Sequence, residues 1–464
     1  MMSAKLLLES LWTLAGAETI ALEHLQFTGG DLQLPSSFEV GDVASATIAA
    51  QALMAAQLWR DRAGQQQAVS IHYRHALAMF KSDRYLSING QPMDDPWSKI
   101  AGYYQAGDGR WIQLHTNFPH HRDGVLAVLQ CADDRAAVAR AISNWSAAEL
   151  DQTLADAGMC AALIRTQQEW QAHAQAQALA ALPLFEITRV ADGPVVQLNN
   201  HAGARPLSGV RVLDLSRVIA APVAARTLAQ HGADVLAVSA AHLPNIAPLV
   251  MDTGRGKRST QLDLRQTEGR QLLGRLVADA DVFLQAYRPG ALAQHGFSVE
   301  ELCRQRPGLI YVSMSAYGHV GPWSGRRGFD SLVQSASGIA DEEGRAAGLS
   351  GPGKLPFQAL DHATGYLMAF ATMLALQKRA REGGSWHVRL SLAQTGQWLQ
   401  GLGRRALHDR AGELTAAETN AFLEVTQGPY GTMSAIAPVE QMELTPAYFE
   451  LSAPGLGAHA PVWL

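Results

Sequence analysis

The stretch VRVLDLSRVIAAPVAARTLAQHGADVLAVS, residues 210–239, decides the fold. VRVLDL (Val210–Leu215) is a short, mostly apolar run, the pattern of a strand buried on both faces. RVIAAP then turns the chain. VAARTLAQHG (Val223–Gly232) has helical spacing and closes on glycine, and ADVLAVS (Ala233–Ser239) is a second strand. The alternation continues downstream. RSTQLDL (Arg258–Leu264), DVFLQAY (Asp281–Tyr287) and LIYVSMSAYG (Leu309–Gly318) read as strands, with a helix over Thr267–Ala280. Strands alternating with helices of this length give right-handed βαβ units and a parallel sheet covered on both faces. The class is α/β, with a Rossmann-like layer. It carries no dinucleotide fingerprint, because SRVIAAPVA after the first strand contains no GxGxxG. GRGKRS (Gly254–Ser259) is not a Walker loop, although its glycines and cations fit either a phosphate cradle or a solvated turn.

Composition sets outer limits. The chain has 464 residues, 47% apolar and 17% charged, with a formal net charge of −5. That excludes a disordered chain and gives no overall basic footprint for nucleic acid. Three cysteines without a CxxC make no disulfide framework, which places the chain in a reducing cytoplasm. Glu9 interrupts the apolar N-terminus, which argues against a signal peptide. The longest apolar run, Ala363–Leu376, suits a buried helix rather than a membrane span.

Upstream, GDGRWIQLH (Gly107–His115) reads as turn and strand, and Ser146–Ile164 as helix, glycine break and strand. This is a smaller α+β domain. Ala191–Gly209, rich in Gly, Pro and Asn, is the linker. A shift of 319 residues lays Phe38–Val69 on Phe357–Val388 without a gap, matching Asp42 with Asp361 and Arg60-x-Arg62-x-Gly64 with Arg379-x-Arg381-x-Gly383. Each copy reads as an Asp, a helix of about five turns, a basic turn and a strand, the mark of an ancestral duplication. Asp361, in FQALDHATGYLMAF, is placed at a helix N-terminus beside a core. That position fits an ordinary cap and equally a desolvated nucleophile.

Four motifs in order resemble the class III CoA-transferases, the family of formyl-CoA and carnitine CoA-transferases. They are residues 210–238, GRGKRSTQLDL through AYRPGALAQHGF, LIYVSMSAYGHVGPWSGRRGFD, and LDHATGYLMAFATMLALQKR. GDGRWIQL, AGMCAALI and LAALPLFEI resemble the family's small domain, and FELSAPGLGAHAPVWL its closing segment. Here the small domain precedes the Rossmann-like layer, which implies a permuted or partly duplicated order. The units are expected at 1–97 (a helical segment echoing the catalytic helix), 98–206 (small domain and linker), 207–400 (Rossmann-like CoA-binding domain) and 401–464 (closing segment).

The resemblance places the nucleophile on Asp361, working through an aspartyl-CoA thioester. It places CoA contacts on Val218, Ile219, Ala220, Leu262, Arg265, Tyr287, Arg288, Tyr317 and Gly318, and Arg217 and Arg258 are added to the expected CoA-binding set as cations near the same strand ends. Coenzyme A or acyl-CoA and a carboxylic acid are implied as substrates. No permanently bound cofactor, metal, nucleic acid or membrane partner is expected, and a homodimer is. The sequence departs from the family at AVSAAHLP (Ala237–Pro244), which lacks a phosphate-facing cation, at Ala286 and at Gln294; Lys257, Arg258 or Arg217 are the candidates to compensate. Such losses would also suit a non-catalytic CoA-binding or scaffold relative. The related racemases add a His where this chain has Phe329, so two-base proton exchange is poorly served. Asp42 reads as structural. His115, His120 and His121, in HTNFPHHRD, match no zinc spacing and read as a solvated loop cluster.

Overall fold

Seven strands form the main sheet: β1 (Phe185–Ala191), β2 (Arg211–Leu215), β3 (Asp234–Ser239), β4 (Arg258–Gln261), β5 (Val282–Gln285), β6 (Ile310–Ser315) and β7 (Ser385–Ser391). The computed structural model describes residues 3–30, 34–95, 97–198, 205–407, 412 and 414–464. Residues 199–204 of the expected linker lie outside the described residues. The strand order is β4-β3-β2-β5-β6-β7-β1, all parallel except β1, which runs antiparallel to β7. β1 precedes the linker in sequence, within the stretch read as small domain, yet it completes the edge of the large sheet.

The order reverses between β2 and β5. From β2 the chain steps outward to β3 and β4; from β5 it steps the other way. The loops leaving the carboxyl ends of β2 and β5 therefore diverge and open a crevice, the usual ligand position in an open α/β sheet.

Three helices pack beside this crevice: α1 (Val40–Ala63), α2 (Ala220–Gln230) and α3 (Ala359–Glu382). α2 starts at Ala220, three residues before the position read from sequence, because Pro222 in its first turn needs no amide partner there. Alanine and glycine fill its contact with α3. A Cβ on Gly365 would lie 2.4 Å from the Ala220 carbonyl oxygen and 2.9 Å from Val223 Cβ, so the helices touch backbone to backbone. α1 and α3 are each 24 residues long, carry Asp42 and Asp361 as their third residues, and end on Gly64 and Gly383. The sequence echo is thus a real structural repeat. The strands that follow part company: β7 enters the main sheet, whereas Val69–His72 pairs with Leu25–Thr28 and Gln441–Met442.

The small unit has an antiparallel sheet of Gly102–Gln105, Trp111–Leu114 and Ala161–Leu163, and its own apolar core. The C-terminal tail crosses the β4 edge, with the Gly256 amide donating to Leu451 O at 2.8 Å and the His459 amide to Ser259 O at 2.8 Å.

Candidate active site

Asp361 lies in the first turn of α3 and is only 6% exposed. The Ala220 amide, in the first turn of α2, favours its ionised form, as does the N-terminus of α3 itself. Burial nevertheless dominates and raises its pKa well above the usual carboxylate range, with Asp330 and Asp83 adding to the rise. Asp330 accepts the Asp361 amide at 2.8 Å and a side-chain bond from Gln334. Burial lifts Asp330 to about 7, against the amides of Asp361 and Leu360 that favour its ionised form. Burial lifts Asp83 to about 6, with help from Asp252. Burial opposes ionisation of Asp252 too, but Arg226 and Arg255, each 2.7 Å away, hold it at about 2.

Two cavities meet at Asp361. The first, about 440 Å³, lies over the crevice between the β2 and β5 loops. Of the residues singled out in the sequence, Arg217, Val218, Ile219, Ala220, Tyr287 and Arg288 line it with Asp361. The second, about 340 Å³, opens on the other side, with Asp83, Arg84, Trp97, His115, Asp330 and Lys354 in its wall. Val218, Ile219 and Phe329 belong to both linings and form the partition beside the carboxylate. Val218 has φ +75°, a costly conformation for a β-branched residue.

The other residues singled out do not line the cavity around Asp361. Arg258 is paired with Asp234 at 2.8 Å and donates to Val462 O at 2.6 Å. Leu262 packs in an apolar cluster behind the sheet. Arg265 is on the surface, 2.7 Å from Asp263. Tyr317 is fully buried against Trp323, and Gly318, at φ +94°, meets Leu179. Lys257, a candidate to replace the missing cation, is buried and bonded to Asp214 at 2.7 Å and Pro222 O at 2.9 Å.

Sequence reasoning missed Asp330, Asp83 and the whole contribution of the small unit. Phe118, His121 and Cys160 line the first cavity. The histidine cluster is only in part a solvated loop: His120 is exposed, but His115 and His121 are buried. Pro119 starts a helix, Pro119–Leu129, which turns His121 inward, while His115 stacks on Phe329 with ring centroids 3.9 Å apart. Burial lowers both, His115 to about 4 and His121 to about 3. His121 Nε2 is 3.6 Å from Cys160 Sγ, and burial pushes that thiol up to about 12, so it is a packing thiol and not a nucleophile. Asp330 had a legible signal: FDSLVQSA places an Asp immediately before a helical run. Among the described residues no group of three His, Cys, Asp or Glu is placed to hold a metal ion, and no helix is long and apolar enough to cross a membrane.

The family model for CoA-transferase family III matches residues 21–202 and 207–404. The acetyl-coenzyme A transferase nodX of Hypoxylon pulicicidum is 32% identical over 324 residues, 65% of this chain and 54% of that protein. A probable fatty acyl-CoA transferase, Rv3272 of Mycobacterium tuberculosis, is 34% identical over 210 residues, 42% of this chain and 53% of that protein. A crystal structure of Rv3272 covers 43% of this chain and 59% of its own, at 34% identity and a TM-score of 0.38. The chain spans about half the length of the curated relatives it matches.

Proposed function

The chain belongs to CoA-transferase family III, and from that premise we propose that it transfers coenzyme A between carboxylic acids through Asp361. The observation that carries this reading is the position of one buried carboxylate at the meeting point of two cavities. A group that must be attacked in turn by a thiolate and by a carboxylate needs access from two sides.

The chemistry balances as follows. An Asp361 oxygen attacks the carbonyl carbon of an acyl-CoA, the C–S bond breaks, and the thiolate leaves with the electron pair. The product is a mixed anhydride. The thiolate then attacks the aspartyl carbonyl, the C–O bond to the acyl group breaks, and the first acid departs as a carboxylate. The aspartyl-CoA thioester that remains is consumed by the acceptor acid in the reverse order. The Ala220 amide, which favours the ionised form of Asp361, faces the oxyanion that forms on the aspartyl carbonyl oxygen when the thiolate or the acceptor acid attacks that carbon; when Asp361 attacks the acyl-CoA, the oxyanion is on the substrate's own carbonyl oxygen. Arg217, Val218, Ile219, Ala220, Tyr287 and Arg288 face the CoA half. Arg84 and Lys354 in the second cavity supply the cations a carboxylate substrate requires.

Asp83, Arg84, Asp95, Trp97, His115 and Phe118 line the cavities at Asp361 from the N-terminal part of the chain, the arrangement that a permuted, duplicated order requires. The cytoplasm and a homodimer remain part of the proposal, as does the aspartyl-CoA intermediate. His115, neutral and in the wall of the second cavity, favours a second reading, proton exchange at the α-carbon of an acyl-CoA. The test is acyl-CoA plus hydroxylamine, followed by peptide mass mapping. A hydroxamate at Asp361 is the expected result. No adduct over a panel of acyl-CoAs, with solvent deuterium entering the acyl group, would replace transfer by the second reading.

The pH profile offers an independent check. Asp361 must be ionised to attack, and its pKa is raised, so acylation falls as pH drops through that raised value. Asp330→Asn keeps an acceptor for the Asp361 amide but removes the like charge. The acid limb of kcat/KM therefore moves to lower pH, and activity at pH 5.5 relative to pH 8 rises about threefold or more. An unmoved limb would mean that Asp330 does not tune the nucleophile.

A further inference from the structure

Cations are unevenly distributed along the crevice. Inside the first cavity, Arg217, Arg288 and Arg327 have no carboxylate partner among the described residues, and Asp361 is the only carboxylate in the wall. Arg217 is fixed by a bond to the Pro244 carbonyl and by the Phe118 ring, 5.2 Å from its guanidinium carbon. Arg327 touches His121 at 3.1 Å. The Nε atoms of Arg217 and Arg327 are buried without a hydrogen-bond partner. Half-buried guanidiniums with orphaned donors are costly unless an anion completes them.

The outer rim, beyond β3 and β4, is the opposite. Lys257 is held by Asp214 at 2.7 Å, Arg258 by Asp234 at 2.8 Å and Arg265 by Asp263 at 2.7 Å. The segment after β3, AAHLP (residues 240–244), has no Lys or Arg, and His242 lies 3.9 Å from Asp263. Only the Arg265 pair is exposed enough to exchange partners cheaply, and a phosphate arriving there would still face Asp263. The space on this side is a narrow cleft of about 80 Å³, closed by Pro454 and Leu456 of the tail.

We infer that the protein recognises its thiol substrate as a phosphopantetheine arm, whose phosphate the cavity arginines bind, and that it makes no ion pair with the 3′-phosphate of coenzyme A. This rests on the CoA reading of the first cavity and narrows it. Thioesters of 3′-dephospho-CoA and of 4′-phosphopantetheine are then substrates in the same class as acyl-CoA. A bare pantetheine thioester is a poor one.

The test is calorimetric titration of the full chain at fixed ionic strength with CoA, 3′-dephospho-CoA, 4′-phosphopantetheine and pantetheine. The first three should bind within about threefold of one another, and pantetheine about tenfold or more weakly. Arg288→Gln should bring phosphopantetheine down to the pantetheine level. Arg288 is exposed and carries no ion pair among the described residues, so this change spares the fold, as an unshifted thermal midpoint would confirm. CoA binding about tenfold tighter than 3′-dephospho-CoA would overturn the inference. So would equal binding of phosphopantetheine and pantetheine, or no binding by any of the four. The expected binding order without a hydroxamate at Asp361 would leave the inference standing and remove transfer.

Discussion

Asp361→Asn lowers transfer by at least about 10³-fold and raises the thermal midpoint at pH 8. The amide is almost isosteric, so the site keeps its shape. What it loses is a nucleophile that can form an anhydride. The stability sign follows from linkage. The folded-state pKa of Asp361 is raised above its unfolded value. Stability from this group is thus fully present below the unfolded pKa and is lost as pH rises through the folded one. Asparagine removes that loss, so the gain is several degrees at pH 8 and smaller at pH 5. Asp42→Asn is the contrasting case. Asp42 occupies the same place in α1, but its carboxylate accepts the Ala4 amide at 2.9 Å and Arg405 Nη2 at 3.1 Å. It is a plugged counterpart, and its replacement keeps transfer while destabilising the chain by about 1–3 kcal/mol, the cost of weakened buried charge-assisted bonds. Steady-state transfer assays and thermal melts of both variants at the two pH values check all four signs. Transfer above about 1% of the parent in Asp361→Asn would remove Asp361 from the chemistry.

The contrast also marks how far sequence reading reaches. Periodicity sufficed for β2 through β6 because a strand buried on both faces and a helix with one buried face write different apolar spacings. The repeat was legible because register is a property of sequence alone. The direction of side chains was not. Arg258, Arg265 and Lys257 look alike in sequence, as cations near the crevice, and each is neutralised by an Asp that no spacing rule predicts. The second cavity depends on Asp83, Trp97 and His115, which approach Asp361 from more than 200 residues away. Nothing local in those segments encodes that approach. The raised pKa values follow from the same long-range burial. The start of α2 was misplaced for a more local reason: Pro222 was read as ending a turn, when a proline in the first helical turn is compatible with either.

Gly365→Ala should lower transfer by about 10²-fold, less than loss of Asp361 but large for a residue that lines neither cavity. Gly365 lies one turn beyond Asp361, on the same face of α3. An added methyl would stand 2.4 Å from Ala220 O, 2.9 Å from Val223 Cβ and 3.0 Å from Val223 Cγ1. Two of the three obstacles are backbone or Cβ atoms, so no rotamer change relieves the clash, and α2 must move off α3. Ala220 carries both the carbonyl that is struck and the amide that favours the ionised form of Asp361. The shift that accommodates the methyl therefore pulls away the oxyanion donor. A displacement of about 1 Å at such a contact costs about 10²-fold in the chemical step. Overpacking costs about 1–3 kcal/mol in stability, against roughly 1 kcal/mol regained from alanine's helix propensity. On the proposed reading the loss should fall on kcat, because Arg217 and Arg288, the residues proposed to hold the thiol substrate, precede α2 or lie on the β5 loop and are not part of the α2–α3 contact. Gly396→Ala separates packing from propensity. Gly396 lies in the helix Leu392–Gly401, its nearest neighbour would be Leu360 Cδ1 at 3.5 Å, and that variant should transfer normally with equal or slightly higher stability. If Gly365→Ala transferred normally too, the close α2–α3 contact would not be what positions the Ala220 amide for the reaction.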